Sequence, residues 1–197
     1  MKEFDNLKEI WNQQKESAVP DVSQIISKAK KEKQSMGNKI ILQATILLFT
    51  IVALVVVVSK IDFKMITTFI GIGLMLTTIF VFSLIRLYQA YKLKSIDLTQ
   101  SPKQVLLQLE QFYTFQQFVS TKCALAYFIL LNIAFGFYFI EVLQPMATTM
   151  KIISLIIYIA WMLIAYFIIG KRSKQKEFRK TEDIINSIKK IETEYEQ

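Results

Sequence analysis

Residues 40–59 read IILQATILLFTIVALVVVVS, a stretch of twenty residues that contains no charged side chain. An α-helix of about 20 apolar residues crosses the roughly 30 Å hydrocarbon core of a lipid bilayer. Three further apolar runs of similar length follow at 65–85, 123–143 and 152–170. Because a chain in lipid must satisfy its backbone hydrogen bonds internally, these runs predict an all-α membrane protein with four transmembrane helices.

The connections arrange the four runs as two hairpins. Only 5 residues join the first run to the second and 8 join the third to the fourth, whereas 37 lie between the hairpins. Short connections favour antiparallel neighbours. We therefore divide the chain into an N-terminal segment, a first hairpin, a connection, a second hairpin and a C-terminal segment, at 1–38, 39–85, 86–122, 123–170 and 171–197.

The basic residues predict the orientation of these segments. Of the 24 Lys and Arg residues, 21 lie in the polar stretches 1–39, 86–122 and 171–197, and only Lys60, Lys64 and Lys151 lie in the short connections. Since positively charged segments stay on the cytoplasmic side, both termini and the central connection are expected there. Topology and contact with anionic lipid also account for the net charge of +8, so we expect no direct binding of nucleic acid.

The cytoplasmic segments carry helical patterns that predict extensions of the spans. A helix is expected to begin at Asp21 and to be broken or bent by Gly37 and Asn38 just before the first span. Ser101 and Pro102 form a strong helix start. The helix that they open carries a stripe at alternating steps of three and four: Val105, Leu109, Phe112, Phe115 or Gln116, and Val119. The extensions are expected to pack as one elongated bundle, partly in lipid and partly in water.

The C-terminal segment carries a seam of the kind found in short coiled coils. Its apolar residues repeat at intervals of 4, 3 and 4: Ile184, Ile188, Ile191 and Tyr195. This seam packs within the chain's own bundle or joins two copies of the chain. It is therefore the candidate surface for self-association as a homo-oligomer.

The composition argues against catalysis. The chain has no histidine and a single cysteine, Cys123, which excludes zinc sites of the Cys/His type. The apolar runs hold one acidic residue, Glu141, which lies at the outer end of the third run and is expected to be an interfacial side chain. We predict no catalytic, metal-binding or cofactor-binding residue, and we expect the protein not to be an enzyme.

Two amides interrupt the apolar runs, Gln43 in the first and Asn132 near the middle of the third. A buried amide in a span usually bonds to a neighbouring helix and contributes roughly 0.6–2 kcal/mol. The alternative is a small-molecule or lipid-handling protein, transport- or channel-like, with a cavity around both amides between the hairpins. In the second run, Gly71 and Gly73 are expected to allow close approach of a neighbouring helix.

The first sixteen residues are the segment that topology explains least. Within them Phe4, Leu7, Ile10 and Trp11 share one face of a short predicted helix that Pro20 separates from the next. Such a helix is marginal alone in water, so its apolar stripe needs a cover. The cover is the chain's own bundle, the bilayer surface or a groove on another protein.

Residues 4–14, FDNLKEIWNQQ, resemble the start of a family of small multi-span membrane proteins of Bacteroidota, many of which are encoded beside extracytoplasmic-function sigma factors. The resemblance implies a regulator in the bacterial inner membrane whose N-terminal segment holds a sigma factor, as anti-sigma factors do. The zinc-binding His/Cys signature of many anti-sigma factors is absent here, so docking would use the apolar stripe. Together, the sequence and the resemblance predict a non-catalytic scaffold that binds a partner or regulates it.

Overall fold

The computed structural model describes residues 22–195, which are helical apart from short connections and contain no strand. We number six helices in chain order: α1 Val22–Val58, α2 Ile66–Ser95, α3 Pro102–Phe118, α4 Ala124–Val142, α5 Thr148–Ile164 and α6 Lys171–Tyr195. One π-helical turn, Val119–Cys123, joins α3 to α4, and another, Ala165–Gly170, joins α5 to α6. Both turns lie where a helix passes between an apolar run and a polar segment, and the extra residue in a π-helical turn shifts the register of the helix there.

Four continuous helices in the described part of the chain are long and apolar enough to cross a membrane. They are Ile26–Val58, Ile66–Ser95, Pro102–Val142 and Thr148–Lys190. The predicted class, an all-α protein with four apolar helices of spanning length, is therefore confirmed. Each helix is longer than its apolar run, which a bilayer alone does not require.

The expected break at Gly37 and Asn38 is wrong, because α1 runs without interruption from Val22 to Val58. A glycine inside a helix costs roughly 0.5–1 kcal/mol relative to alanine. Packing on both sides of Gly37 offsets this cost, since Met36 and Ile40 are fully buried. Asp21, the expected N-cap, lies outside the described residues.

The prediction for α3 is confirmed at its start and along its stripe. The helix begins at Pro102 with Ser101 in the N-cap position, although the serine side chain makes no capping hydrogen bond. The stripe Val105, Leu109, Phe112, Gln116 and Val119 is buried. For the fourth position of the stripe, the sequence left a choice between Phe115 and Gln116. Gln116 takes it, because Gln116 is buried and Phe115 is only half-buried.

The polar segments form a four-helix assembly, which we call the polar bundle: residues 22–40 of α1, residues 86–98 (the end of α2 and the three residues after it), α3, and α6. Its core is built from side chains of all four parts: Ala29, Met36, Ile40, Ala90, Leu93, Ile96, Leu98, Val105, Leu109, Phe112, Ile184 and Ile188. The apolar stripes of the extensions therefore cover one another. This burial removes them from water and is the main favourable term in the stability of the bundle.

The apolar parts of the helices pack more unevenly. α2 contacts both α1 and α4 along its length, and it buries Thr68, Gly71, Ile72, Met75, Thr78, Ile79 and Ser83. α5 is the outermost helix, with no buried residue. A few polar and aromatic contacts of Tyr158 attach α5 to α4.

Candidate functional site

The described structure places one carboxylate, that of Glu177, in a buried position between the apolar helices and the polar bundle. Glu177 lies on α6 and is only 2% exposed. Arg86 of α2 donates to its Oε2 at 3.5 Å, and Gln43 of α1 donates to its Oε1 at 3.3 Å. Lys39 Nζ lies 3.7 Å from the same Oε1. A buried charge needs such partners, because water no longer solvates it.

A second set of hydrogen bonds surrounds this ion pair. Arg86 also donates to Gln89 Oε1 at 2.9 Å, and Gln116 Nε2 donates to the Glu177 carbonyl at 3.4 Å. The Thr181 hydroxyl donates to Gln116 Oε1 at 2.7 Å. We call these side chains and the groups bonded to Glu177 the polar layer: Lys39, Gln43, Arg86, Gln89, Gln116, Glu177 and Thr181.

The polar layer joins all four helices of the bundle at one level. α1, α2, α3 and α6 each contribute at least one of its side chains. Polar pairings are directional, so they fix the register of the helices in a way that apolar contacts alone do not. These contacts hold the start of α6 against α1 and α2.

Glu177 and Arg86 are not among the site residues predicted from the sequence. A signal was present, because Glu177 is the only acidic residue among the basic residues of 171–180. Arg86 is likewise the first charged residue after the second apolar run. One acidic residue among basic residues next to a span predicts an ion pair. The sequence does not say which helices that ion pair joins.

The two amides singled out from the sequence are not brought together. Gln43 bonds to Glu177 at the polar layer, whereas Asn132 accepts a hydrogen bond from Tyr158 of α5 at 2.9 Å. Asn132 lies nine residues, or about 13 Å, into the third apolar run. The small-molecule or lipid-handling alternative needed both amides to face one space, and here they belong to separate contacts between different helices.

Glu141 has a partner set that the sequence did not predict. Its carboxylate accepts hydrogen bonds from the backbone N–H groups of Lys64 at 2.6 Å and Met65 at 3.1 Å, and from the Thr68 hydroxyl. These groups surround the first turn of α2, whose own N-cap residue, Met65, provides no side-chain hydrogen bond. Glu141 therefore caps α2 from the end of α4, where a negative charge also suits the helix dipole.

The expectation of close helix approach holds for one glycine of the pair. A Cβ atom at Gly71 would lie 2.8 Å from the Ala134 carbonyl oxygen and 3.0 Å from the Tyr138 nitrogen, so α2 and α4 touch there through their backbones. A Cβ atom at Gly73 would meet nothing within 4 Å. Gly73 is exposed on the lipid-facing side and its part of the expectation is wrong.

The predicted self-association seam is partly occupied within the chain. Ile184 is 1% exposed and Ile188 is 3% exposed, and both lie in the core of the polar bundle. Self-association through these two residues would require that core to open. The side chains of Ile191 and Tyr195 lie outside the described part of the structure, as do Phe4, Leu7, Ile10 and Trp11. Within residues 22–195 no group of three or more His, Cys, Asp or Glu side chains could hold a metal ion.

Comparisons with family models, curated proteins and solved structures find no match to this chain. Its function is therefore inferred from its residues and their geometry.

Proposed function

We propose that the chain is a non-catalytic scaffold of the bacterial inner membrane that binds a cytoplasmic partner through its N-terminal segment. The observation that carries this proposal is the polar bundle with its polar layer. Each apolar helix is continued by, or connected to, a part of the bundle. The membrane spans thereby support one platform, the polar bundle, and residues 1–21 precede its first helix in the sequence.

The packing and the charge of the platform support one orientation in the membrane. Met36, Leu93, Leu109 and Ile184 come from four separate parts of the chain and share one core, so those parts lie on the same side of the membrane. The parts of the chain that build this bundle also hold 17 of the 24 basic residues. Both facts support two membrane hairpins with both termini in the cytoplasm.

We assign the binding of the partner to the apolar stripe formed by Phe4, Leu7, Ile10 and Trp11. The described core of the bundle is filled by its own residues, since Met36, Leu109 and Phe112 are each 0% exposed. This core supports assigning the stripe to another protein. An amphipathic helix of this kind docks into an apolar groove of another protein. A sigma factor is the partner class that the resemblance of residues 4–14 implies.

The test compares the proteins captured by the full chain with those captured by a variant that lacks residues 1–17. Proximity labelling in cells, or a pull-down in mild detergent, should recover a cytoplasmic protein that the shortened variant loses. Two double variants localise the contact. Leu7→Asp with Ile10→Asp should abolish capture, whereas Asn12→Asp with Gln13→Glu adds the same charge off the stripe and should preserve it. Unchanged capture after the deletion would exclude the proposal.

A further inference from the structure

A cleft of about 410 Å³ lies between α1 and α2, where the polar bundle meets the first apolar run. Its polar lining consists of three lysines and two amides: Lys30, Lys33, Lys94, Gln34 and Asn38. Of the described residues that line it, none is acidic. The cleft therefore offers several hydrogen-bond donors and a positive potential to one small anionic group.

The lysines of the cleft are available to a ligand in different degrees. Lys33 donates to the carbonyl oxygen of Lys94 at 3.1 Å and to that of Ile96, so it caps the end of α2 and retains one N–H group. The negative charge of the Asp97 carboxylate acts on Lys33, but Asp97 does not line the cleft. Both ion pairs found in the described residues belong to Glu177, so neither engages Lys30 or Lys94.

The apolar wall of the cleft places it at the surface of the bilayer. Ile41, Ala90 and Leu93 line the cleft, and Ile41 is already the second residue of the first apolar run. Gly37 lies three residues before that run, or about 4.5 Å along the helix. The headgroup region extends roughly 5–8 Å beyond the hydrocarbon on each face of a bilayer, so the floor of the cleft lies at headgroup depth.

Gly37 also lines the cleft, and no close packing inside the protein requires a glycine at this position. A Cβ atom there would meet only the Leu93 side chain, at an ordinary 3.9 Å. Alanine would therefore fit and would be the better helix former. The missing side chain instead leaves space between Lys33 and Asn38 on one helix and Lys94 on the other.

From these observations we infer that the cleft binds the phosphate of an anionic phospholipid. Lys30, Lys94 and the remaining N–H of Lys33 contact the phosphate, and Gln34 and Asn38 bond to the headgroup. The acyl chains leave past Ile41 into the surrounding lipid. A basic pocket between helices at a membrane surface suits this class of ligand. The inference takes from the proposed function only the placement of the bundle on the anionic cytoplasmic leaflet.

The experiment counts lipids retained by the purified full chain in native mass spectrometry during titration with phosphatidylglycerol or phosphatidylcholine. We expect one phosphatidylglycerol to be held in preference to phosphatidylcholine. The double variant Lys30→Gln with Lys94→Gln should bind it roughly 30-fold more weakly, since each basic residue near a leaflet contributes about fivefold. Gly37→Phe should also lose the lipid by filling the cleft, whereas Gly37→Ala should reduce binding less.

The matched control is Lys28→Gln with Lys31→Gln, which removes the same charge from α1 outside the cleft and should keep the wild-type affinity. Equal weakening by both lysine pairs, or undiminished binding by the Lys30 and Lys94 pair, would overturn the inference. Displacement of the lipid by millimolar inorganic phosphate would instead assign the site to soluble phosphate. Removing residues 1–17 should not change lipid retention, so this outcome is separate from that of the partner test.

Discussion

Replacing Gly71 by alanine should destabilise the protein, although alanine is the better residue for a helix. The added Cβ atom would lie 2.8 Å from the Ala134 carbonyl oxygen and 3.1 Å from the Phe137 Cβ atom. An ordinary contact begins near 3.4 Å, so the helices must separate by about 0.6 Å at this point. The two nearest atoms, the Ala134 carbonyl oxygen and the Tyr138 nitrogen, belong to the main chain of α4, so neither can rotate away.

The cost of this separation follows from overpacking in a closely packed interface. Inserting one methyl group without room costs typically about 1–3 kcal/mol. The Thr68 hydroxyl, one turn from Gly71, bonds to Glu141 across the same interface, so the separation also strains the cap of α2. Gly73→Ala makes the same chemical change two residues further on, where nothing lies within 4 Å. It should be neutral or stabilising by up to about 1 kcal/mol.

Equilibrium unfolding by SDS titration in mixed micelles, followed by near-ultraviolet circular dichroism, measures both changes. The expected result is a lower unfolding free energy for Gly71→Ala and an unchanged or higher one for Gly73→Ala. Equal effects of the two substitutions, or a stabilising Gly71→Ala, would refute the close contact of α2 and α4.

Three further predictions concern the polar bundle. Glu177→Ala leaves Arg86, whose side chain is 12% exposed, without its carboxylate, and should lower the unfolding free energy by about 3 kcal/mol. Ile184→Ala empties part of the core and should cost about 2–5 kcal/mol, whereas Leu107→Ala, at a position 57% exposed, should cost less than about 0.5 kcal/mol. Hydrogen bonds from the turn that follows Asp97 lower the pKa of its carboxyl group. Because the folded pKa lies below the unfolded one, this stabilisation is present at neutral pH and is lost as the pH falls through the folded value. The melting temperature of Asp97→Asn should therefore fall below that of the wild type at pH 7 and approach it towards pH 3.

Contrary results for these three variants have distinct meanings. A neutral Glu177→Ala would show that the polar layer is solvated rather than buried. Similar losses of unfolding free energy for Ile184→Ala and Leu107→Ala would place the seam outside the core. The seam would then again be a candidate surface for self-association. If the difference in melting temperature between Asp97→Asn and the wild type does not depend on pH, the Asp97 carboxylate does not accept the hydrogen bonds of the turn.

The helices of this fold could be predicted from sequence because their signals are local. The length of an apolar run, the Ser101–Pro102 start and the stripe that begins at Val105 each depend on neighbours within a few turns. The break expected at Gly37 failed for the opposite reason. A glycine weakens a helix locally, but Met36 and Ile40 bury themselves against distant parts of the chain, and this tertiary packing prevails.

The site residues were harder to predict because their roles depend on which helices meet. Glu177 is one charge among many in a polar segment until α6 packs between α1 and α3. Glu141 looked like an interfacial carboxylate, and its capping role requires the start of α2 to lie beside the end of α4. Gly71 and Gly73 have the same chemistry and differ only in the face of α2 that they occupy.

We expect the polar bundle to lie on the cytoplasmic side of four membrane spans. Single cysteines test this in a chain in which the only native cysteine, Cys123, is replaced by alanine. We expect an impermeant maleimide to label Asp62→Cys and Gln144→Cys in intact spheroplasts, because both lie in the short connections. Thr99→Cys, between α2 and α3, should be labelled only after the membrane is permeabilised. Labelling of Thr99→Cys in intact spheroplasts would contradict the account.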